Sequence, residues 1–350
     1  MRRITLHKVV RRLRREYARM KGNLIAMRYR VDRNALRMTV QTLKDIPDRP
    51  LAGRRRLVLF AHYDPHDEVD EYVRFYLEKL FELGSTIIFV SGAPNLKPKA
   101  AATIAPFCAG IYTRNSLSLD FGSWNLAWQQ LQKKGWDLAE FDQCIFANDS
   151  VYGPLFNLSE MFSKFVGADM YGVTENLEGF SHLQSYFLVW DIRPSTKKFI
   201  EEFWRDFRYV ANKSEVIERY ELGMSALARS RGLRQKAYIP NSAARAAAEK
   251  HPDDEHSEAI RGRDVNNTLY LWDILISDLR CPFLKAEVPR RNRYGSLKVS
   301  GLYAFLETWT DYNPLLIKGN LEHLGLTEKT GLTQKLEKVH KIAPTTSVQR

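Results

Sequence analysis

The sequence predicts an α/β protein, a Rossmann-like open sheet with flanking helices, preceded by a basic amphipathic helix. Three observations carry this. From residue 57 onward, short β-rich runs alternate with helical stretches, the pattern of parallel strands joined by crossover helices. The chain has 350 residues, 44% of them hydrophobic, enough to bury a large core. No run of eighteen apolar residues occurs, so no span of a bilayer is expected.

Taken in order, the first element is the basic segment, residues 1–50. Leu6, Val9, Val10, Leu13, Tyr17, Met20 and Leu24 recur at steps of three or four and form one face of a helix. Residues 1–34 carry +10 of the net +12, so the rest of the chain is almost balanced. Such a helix can pack on the domain, lie on an anionic membrane surface or clamp nucleic acid through phosphates. The last is disfavoured because no aromatic-rich or zinc-bearing reader follows. No secretory signal is expected, since the basic start lacks an uninterrupted apolar core. Cys108, Cys144 and Cys281 have no ligand-like spacing and read as reduced thiols, pointing to the cytoplasm.

Residues 51–240 form the expected α/β domain. "LVLFAHY", "STIIFVS", "AGIYTR", "QCIFAND", "MYGVT", "LQSYFLVW" and "KAYIP" read as strands. Helical periodicity covers 67–82, 121–134, 195–208 and 214–231, and is weaker over 97–107. Residues 241–265 read as a loop or insertion, 266–330 as a C-terminal helical part completing the site, and 331–350 as a flexible tail.

"AHYDPHDEVD", at the end of the first strand, invites a metal-hydrolase reading through His62, Asp64 and His66. Two histidines four apart in a turn, with no second cluster such as HExxH, argue against it. Val69, Tyr72, Val73, Tyr76, Leu77 and Leu80 instead make a helical stripe, with Asp67 placed as N-cap and acidic residues in the first turn. The stretch is therefore a βα junction whose strand end faces the ligand crevice of an open sheet, lined by Ala61, His62, Tyr63 and Asp64.

Two further strand ends belong at the same edge. In "YTRNSLSLDFGSW", Arg114 and Asn115 leave a strand, while Asp120, Gly122 and Ser123 open a helix whose free N–H groups suit an anion. Asp120 can equally accept from a sugar hydroxyl or simply cap the helix. In "FANDSVYGP", Asn148, Asp149 and Ser150 form either an Asx turn or a seat in which Asp149 holds Mg²⁺ or Mn²⁺ beside phosphates.

"FAHYDPHDEVDEYVRFYLEKL", "RNSLSLDFGSWNLAW", "ANDSVYGPL", "HLQSYFLVW" and "CPFLKAEVPR" together resemble the rhamnan synthesis protein F family, in order from about 57 to 295. The resemblance implies a glycosyltransferase of the GT-A type in cell-envelope polysaccharide biosynthesis, lipopolysaccharide included. It implies transfer of L-rhamnose or another deoxyhexose from a nucleoside diphosphate donor (dTDP-rhamnose-like) to a lipid-linked glycan acceptor, at the inner face of the membrane. Where GT-A enzymes carry Asp-x-Asp, this chain has Asn148-Asp149-Ser150, one carboxylate of the two. Asp149 then holds the cation with phosphate oxygens, or a cation such as Arg114 replaces it. An inverting transfer needs one base; Glu221 is the first candidate, with Glu218 and Asp191 as rivals. His182 and Gln184 are placed for acceptor hydroxyls, Trp190 for stacking on a sugar face, and Lys285 for the diphosphate. Arg290, Arg291 and Arg293 close over that diphosphate, meet the acceptor, or form a solvated charge run. A non-catalytic assembly subunit with the same fold is the competing reading.

Overall fold

The computed structural model describes residues 39–115, 118–178, 180–210, 212–251, 265–292 and 297–326. The expected N-terminal amphipathic helix, the charged stretch 252–264, Arg293 and the tail lie outside them.

The protein is a mixed α/β structure around one central sheet. Its strands are β1 (Val40–Lys44), β2 (Arg56–His62), β3 (Ser85–Ser91), β4 (Cys108–Arg114), β5 (Gln143–Asn148), β7 (Met170–Asn176), β8 (His182–Leu183), β9 (Phe187–Asp191) and β10 (Gln235–Ile239). They are ordered β1-β4-β3-β2-β5-β9-β7-β10, with β8 added beside β7. A second, two-stranded sheet pairs β6 (Val151–Tyr152) with β11 (Leu284–Lys285).

Strands β4, β3, β2 and β5 run parallel. Strand β9 is antiparallel to both β5 and β7, while β1 closes the far edge antiparallel to β4. The chain winds from β2 outward to β3 and β4, then returns to place β5 on the other side of β2. A crevice opens at such a reversal, outside the carboxyl ends of the strands.

The central strands are apolar throughout because both faces are covered. Along β2, Val58 and Phe60 enter one core, while Leu57, Leu59 and Ala61 enter the other. The first core packs α1 (Glu71–Glu82) and α2 (Pro98–Ile104) with later helices. The second packs α3 (Leu119–Lys133) against α5 (Pro194–Arg205); the short α4 (Leu158–Ser163) lies between β6 and β7 in sequence. Next come α6 (Lys213–Val216), a π-helical stretch (Ile217–Leu222) and α7 (Gly223–Ser230).

Three local expectations are corrected. Helix α1 begins after Asp70 rather than near Asp67, which has φ of +60° and so stands outside the helix. Residues 241–248, read as loop, are α8 (Asn241–Ala248), whose Ala244, Ala247 and Ala248 face the core. "LQSYFLVW" is not one strand: it is split between β8 and β9.

The C-terminal part supplies α9 (Asn267–Tyr270), α10 (Trp272–Ser277), α11 (Glu287–Arg291), α12 (Leu302–Trp309) and α13 (Leu315–His323). Gly153 explains how this part meets the sheet. It has φ of +142°, and a Cβ there would lie 2.5 Å from the Pro282 carbonyl oxygen and 2.8 Å from the Phe283 ring. Glycine alone permits that approach, and it seats "YGP" against "CPF", with the Leu155 N–H donating to Pro282 O at 2.8 Å. Among the described residues no helix is long and apolar enough to cross a membrane.

Candidate functional site

The reversal between β2 and β5 is where the chemistry collects. Asp149 follows β5 directly. Its N–H donates to Ala61 O at 3.2 Å, and its Oδ2 accepts from the Tyr63 N–H at 3.1 Å. The His62 Nε2 stands 4.0 Å from that same oxygen. One strand end thus holds the carboxylate offered by the next, an arrangement parallel neighbours permit because their ends are level.

Asn148 bridges in two directions. Its Oδ1 accepts from the Ser150 N–H at 3.1 Å and the Ser150 hydroxyl at 2.6 Å, which is the Asx turn. Its Nδ2 donates to Asp120 Oδ2 at 2.7 Å. The carboxylate that the turn lacks in sequence is therefore brought to it in space, from the first turn of α3. Lys285 Nζ donates to Ser150 Oγ at 3.2 Å and lies over the Tyr186 ring at 4.4 Å. Glu221 Oε1 accepts from the N–H and hydroxyl of Ser185, both at 3.0 Å, on the connection from β8 to β9. Glu221 arrives on the π-helical stretch, an irregularity common at functional sites.

The electrostatics follow from burial. Burial, reinforced by the Asp149 charge, pushes the Asp120 carboxyl up to about 7. Burial also raises Asp149, to about 6, against the opposing Tyr63 N–H and Arg290 charge. Lys285 is pushed down by burial and held up by Glu221 and Asp120. His62, buried beneath the turn with Nδ1 at 3.0 Å from Ser91 Oγ, falls to about 4 and is neutral at physiological pH.

The donor set is hard oxygen: two carboxylates, an amide and a hydroxyl, which suits Mg²⁺ or Mn²⁺. Both carboxyls resist ionisation as they stand, and among the described residues Lys285 is the one cation hydrogen-bonded to the side chains of 148–150. A divalent cation placed at Asp149 would favour its ionised form. A second group, Asp64, Asp70 and His323, brings three ligand-type atoms within 4.8 Å of one another. It is closed by its own bonds: His323 Nε2 lies 3.0 Å from Asp64 Oδ2, and the Asn320 amide donates to Asp70.

Several residues placed here from sequence do other work. Asp191 ends β9 opposite Gln143, the first residue of β5, and so lies at the opposite end of the strands from Asp149, bound to Gln143 and Arg193. Trp190 is fully buried and stacks on Phe199 at 5.0 Å, leaving no face for a sugar. Gln184 is buried among Thr174, Asn266 and Thr268. His182 is buried with Nδ1 at 2.8 Å from Phe180 O, where it closes a turn.

Arg114 is wholly buried and donates to Ser123 Oγ, Asn115 O and Leu119 O, so it braces the start of α3 and offers no replacement for a metal. Burial lowers it to about 10, still charged at neutral pH. The Gly122 N–H is taken by Ser118 O and the Ser123 hydroxyl by Arg114, leaving Asp120 as the α3 residue joined to the turn. Asn115 Oδ1 is buried and has no hydrogen-bond partner among the described residues. Asp64 faces His323, while Tyr63 is exposed at the crevice. Arg290 is not part of a solvated run: it donates to Tyr72, Tyr152 and Asn320. Arg291 is the exposed member.

Comparison with known proteins supplies the context. The family model for rhamnan synthesis protein F matches residues 87–346. Virulence protein VirA of Vibrio anguillarum, that of strain ATCC 68554 / 775 included, is 28% identical over 207 residues. That match covers 54% of this chain and 64% of VirA, so the chain spans just under two thirds of the curated relatives' length. A solved structure, the mannosyltransferase PcManGT from Pyrobaculum calidifontis in complex with GDP-Man and Mn²⁺, is similar at a TM-score of 0.34 and 11% identity. It covers 83% of this chain and 91% of its own.

Proposed function

The chain belongs to the rhamnan synthesis protein F family, and from that premise we propose that it is a GT-A-type glycosyltransferase. It moves a sugar, L-rhamnose or another deoxyhexose, from a nucleoside diphosphate to a lipid-linked glycan growing toward the cell surface. The observation that carries this reading is the meeting of Asp120, Asn148, Asp149, Ser150 and Lys285 at the crevice between β2 and β5.

The reaction breaks the bond from the anomeric carbon to the diphosphate and forms one to an acceptor oxygen, whose proton passes to a base. Asp149, with Asp120 beside it, is the seat for Mg²⁺ or Mn²⁺, which when bound offsets the charge of the departing diphosphate. Lys285 meets the same charge from the other side of Ser150. Tyr63, exposed beside Asp149, offers an aromatic face to the nucleotide. Glu221 is the base for an inverting transfer, its carboxylate aimed by Ser185. Asp120 is the alternative base, because its pKa of about 7 lies near working pH. The basic segment 1–34 holds the enzyme peripherally at the inner leaflet, where lipid-linked acceptors are met.

Turnover of a panel of nucleoside diphosphate sugars with a lipid-linked acceptor, read by product mass, tests the proposal. Sugar transfer that is lost in Asp149→Ala supports it. Failure of every donor to bind, with or without Mn²⁺, would instead favour a non-catalytic assembly subunit.

A further inference from the structure

Residues 284–291 hold the Asn148–Tyr152 turn from two sides. Above it, Lys285 donates to Ser150 Oγ and the Ala286 N–H donates to Ser150 O at 2.9 Å. On the other side Arg290, on α11, meets two tyrosine hydroxyls and one amide. Its Nε donates to Tyr152 Oη at 3.1 Å and Asn320 Oδ1 at 3.0 Å, and its Nη2 to Tyr72 Oη at 3.0 Å. The guanidinium also lies 5.7 Å and 5.5 Å from the centroids of the Tyr72 and Tyr152 rings. Tyr72 uses its proton on the backbone carbonyl of Asp149, at 3.0 Å. A continuous path, Asn320 to Arg290 to Tyr72, therefore ends on the residue that carries the cation in the reading above.

We propose that Arg290 is a positioning residue for the Asp149 turn, acting through the Tyr72 hydroxyl and supplying a half-buried positive charge beside it. This rests on the assignment of the cation to Asp149. Two features separate the role from ordinary packing. Tyr72 has one hydroxyl, and its single proton is spent on the turn rather than on a core partner. A guanidinium can address Tyr72, Tyr152 and Asn320 together because its donors form a rigid fork, whereas an ammonium is a point donor. Partners one step removed from a metal ligand fix its orientation, and their loss typically lowers metal affinity by about 10- to 100-fold.

The test titrates the full chain with Mn²⁺ at fixed inorganic pyrophosphate, a diphosphate that carries no base or sugar, and reads free Mn²⁺ by electron paramagnetic resonance. Asp149→Ala, Tyr72→Phe, Arg290→Lys and Arg290→Met are compared with the parent, each with its melting temperature. The expected result is half-saturation at about tenfold more Mn²⁺ for Tyr72→Phe, a similar or larger weakening for Arg290→Met, and no full rescue by Arg290→Lys. A purely structural role would lower the melting temperature and leave the Mn²⁺ titration of the folded protein unchanged, and that result overturns the proposal. Should Arg290→Met fail to fold, Tyr72→Phe decides alone. If Asp149→Ala retains Mn²⁺ as the parent does, or the parent retains none, the cation assignment falls first and this inference with it.

Discussion

Replacing Asp120 by asparagine should make the protein more stable, and only above a particular pH. The carboxyl is held at about 7 in the folded protein against an ordinary 3.8, because it is buried and faces the Asp149 charge. Asparagine keeps an oxygen for the Asn148 amide and cannot ionise. Below pH 4 the carboxyl is neutral in both folded and unfolded chains, so the substitution changes little. Between about 4 and 7 the unfolded chain gives up the proton while the folded protein retains it, and stability falls as pH rises. Above 7 the folded protein carries an anion it disfavours. The displacement from 3.8 to about 7 corresponds to at most about 4 kcal/mol; solvent screening of the half-buried carboxyl reduces this to roughly 1–3 kcal/mol.

The assay is urea unfolding followed by tryptophan fluorescence, which the seven tryptophans make easy to read. Parent and Asp120→Asn are compared at pH 5 and pH 8.5. The expected outcome is a small difference at pH 5 and a clear gain for the variant at pH 8.5. A variant equally or less stable at pH 8.5 would refute the reasoning, since it would mean that Asp120 ionises freely and is not confined beside Asp149.

Three other outcomes follow from the same geometry. Glu221→Gln should lower turnover by about 10²–10⁴ while donor binding survives; if turnover persists and Asp120→Asn abolishes it, Asp120 is the base. Trp190→Ala should cost about 3–5 kcal/mol in denaturant unfolding, as for a core residue stacked on Phe199, whereas a loss confined to acceptor affinity would return Trp190 to the site. Deleting residues 1–34 should remove sedimentation with anionic liposomes and leave donor binding intact; a truncated protein that still sediments would end the membrane role of that segment.

What the sequence made legible was short-range pattern and the rule for where open sheets bind ligands. The run "LVLFAHY" announces a strand buried on both faces, and β2 is buried from Leu57 to His62. The rule about strand ends puts Asp120 and Asp149 at one edge, and Asn148, next to Asp149 in the chain, donates to Asp120. Errors came where direction or distant partners decide. "FLVWD" reads as a strand either way round, but β9 runs antiparallel to β5, which carries Asp191 to the end of the strands opposite the crevice. No local signal gives that orientation. An arginine at a strand end reads as an anion contact, yet Arg114 has two carbonyls and a hydroxyl within reach and is buried on them.

The C-terminal helices illustrate the same physics at longer range. Asn320 and His323 sit on α13 in a stretch with no motif, some 250 residues from the carboxylates they meet. Close by in sequence to 284–291, Gly153 lets the Pro282–Phe283 backbone lie directly against the turn. There Lys285 bonds the Ser150 hydroxyl, and Arg290 bonds the Tyr72 and Tyr152 hydroxyls and Asn320. Two cations five residues apart, indistinguishable as members of one basic cluster, thus acquire different partners: Lys285 bonds the Ser150 hydroxyl of the turn, while Arg290 bonds the Tyr72 and Tyr152 hydroxyls and the Asn320 amide oxygen. Charge in a sequence counts the cations; long-range packing decides which partners each of them meets.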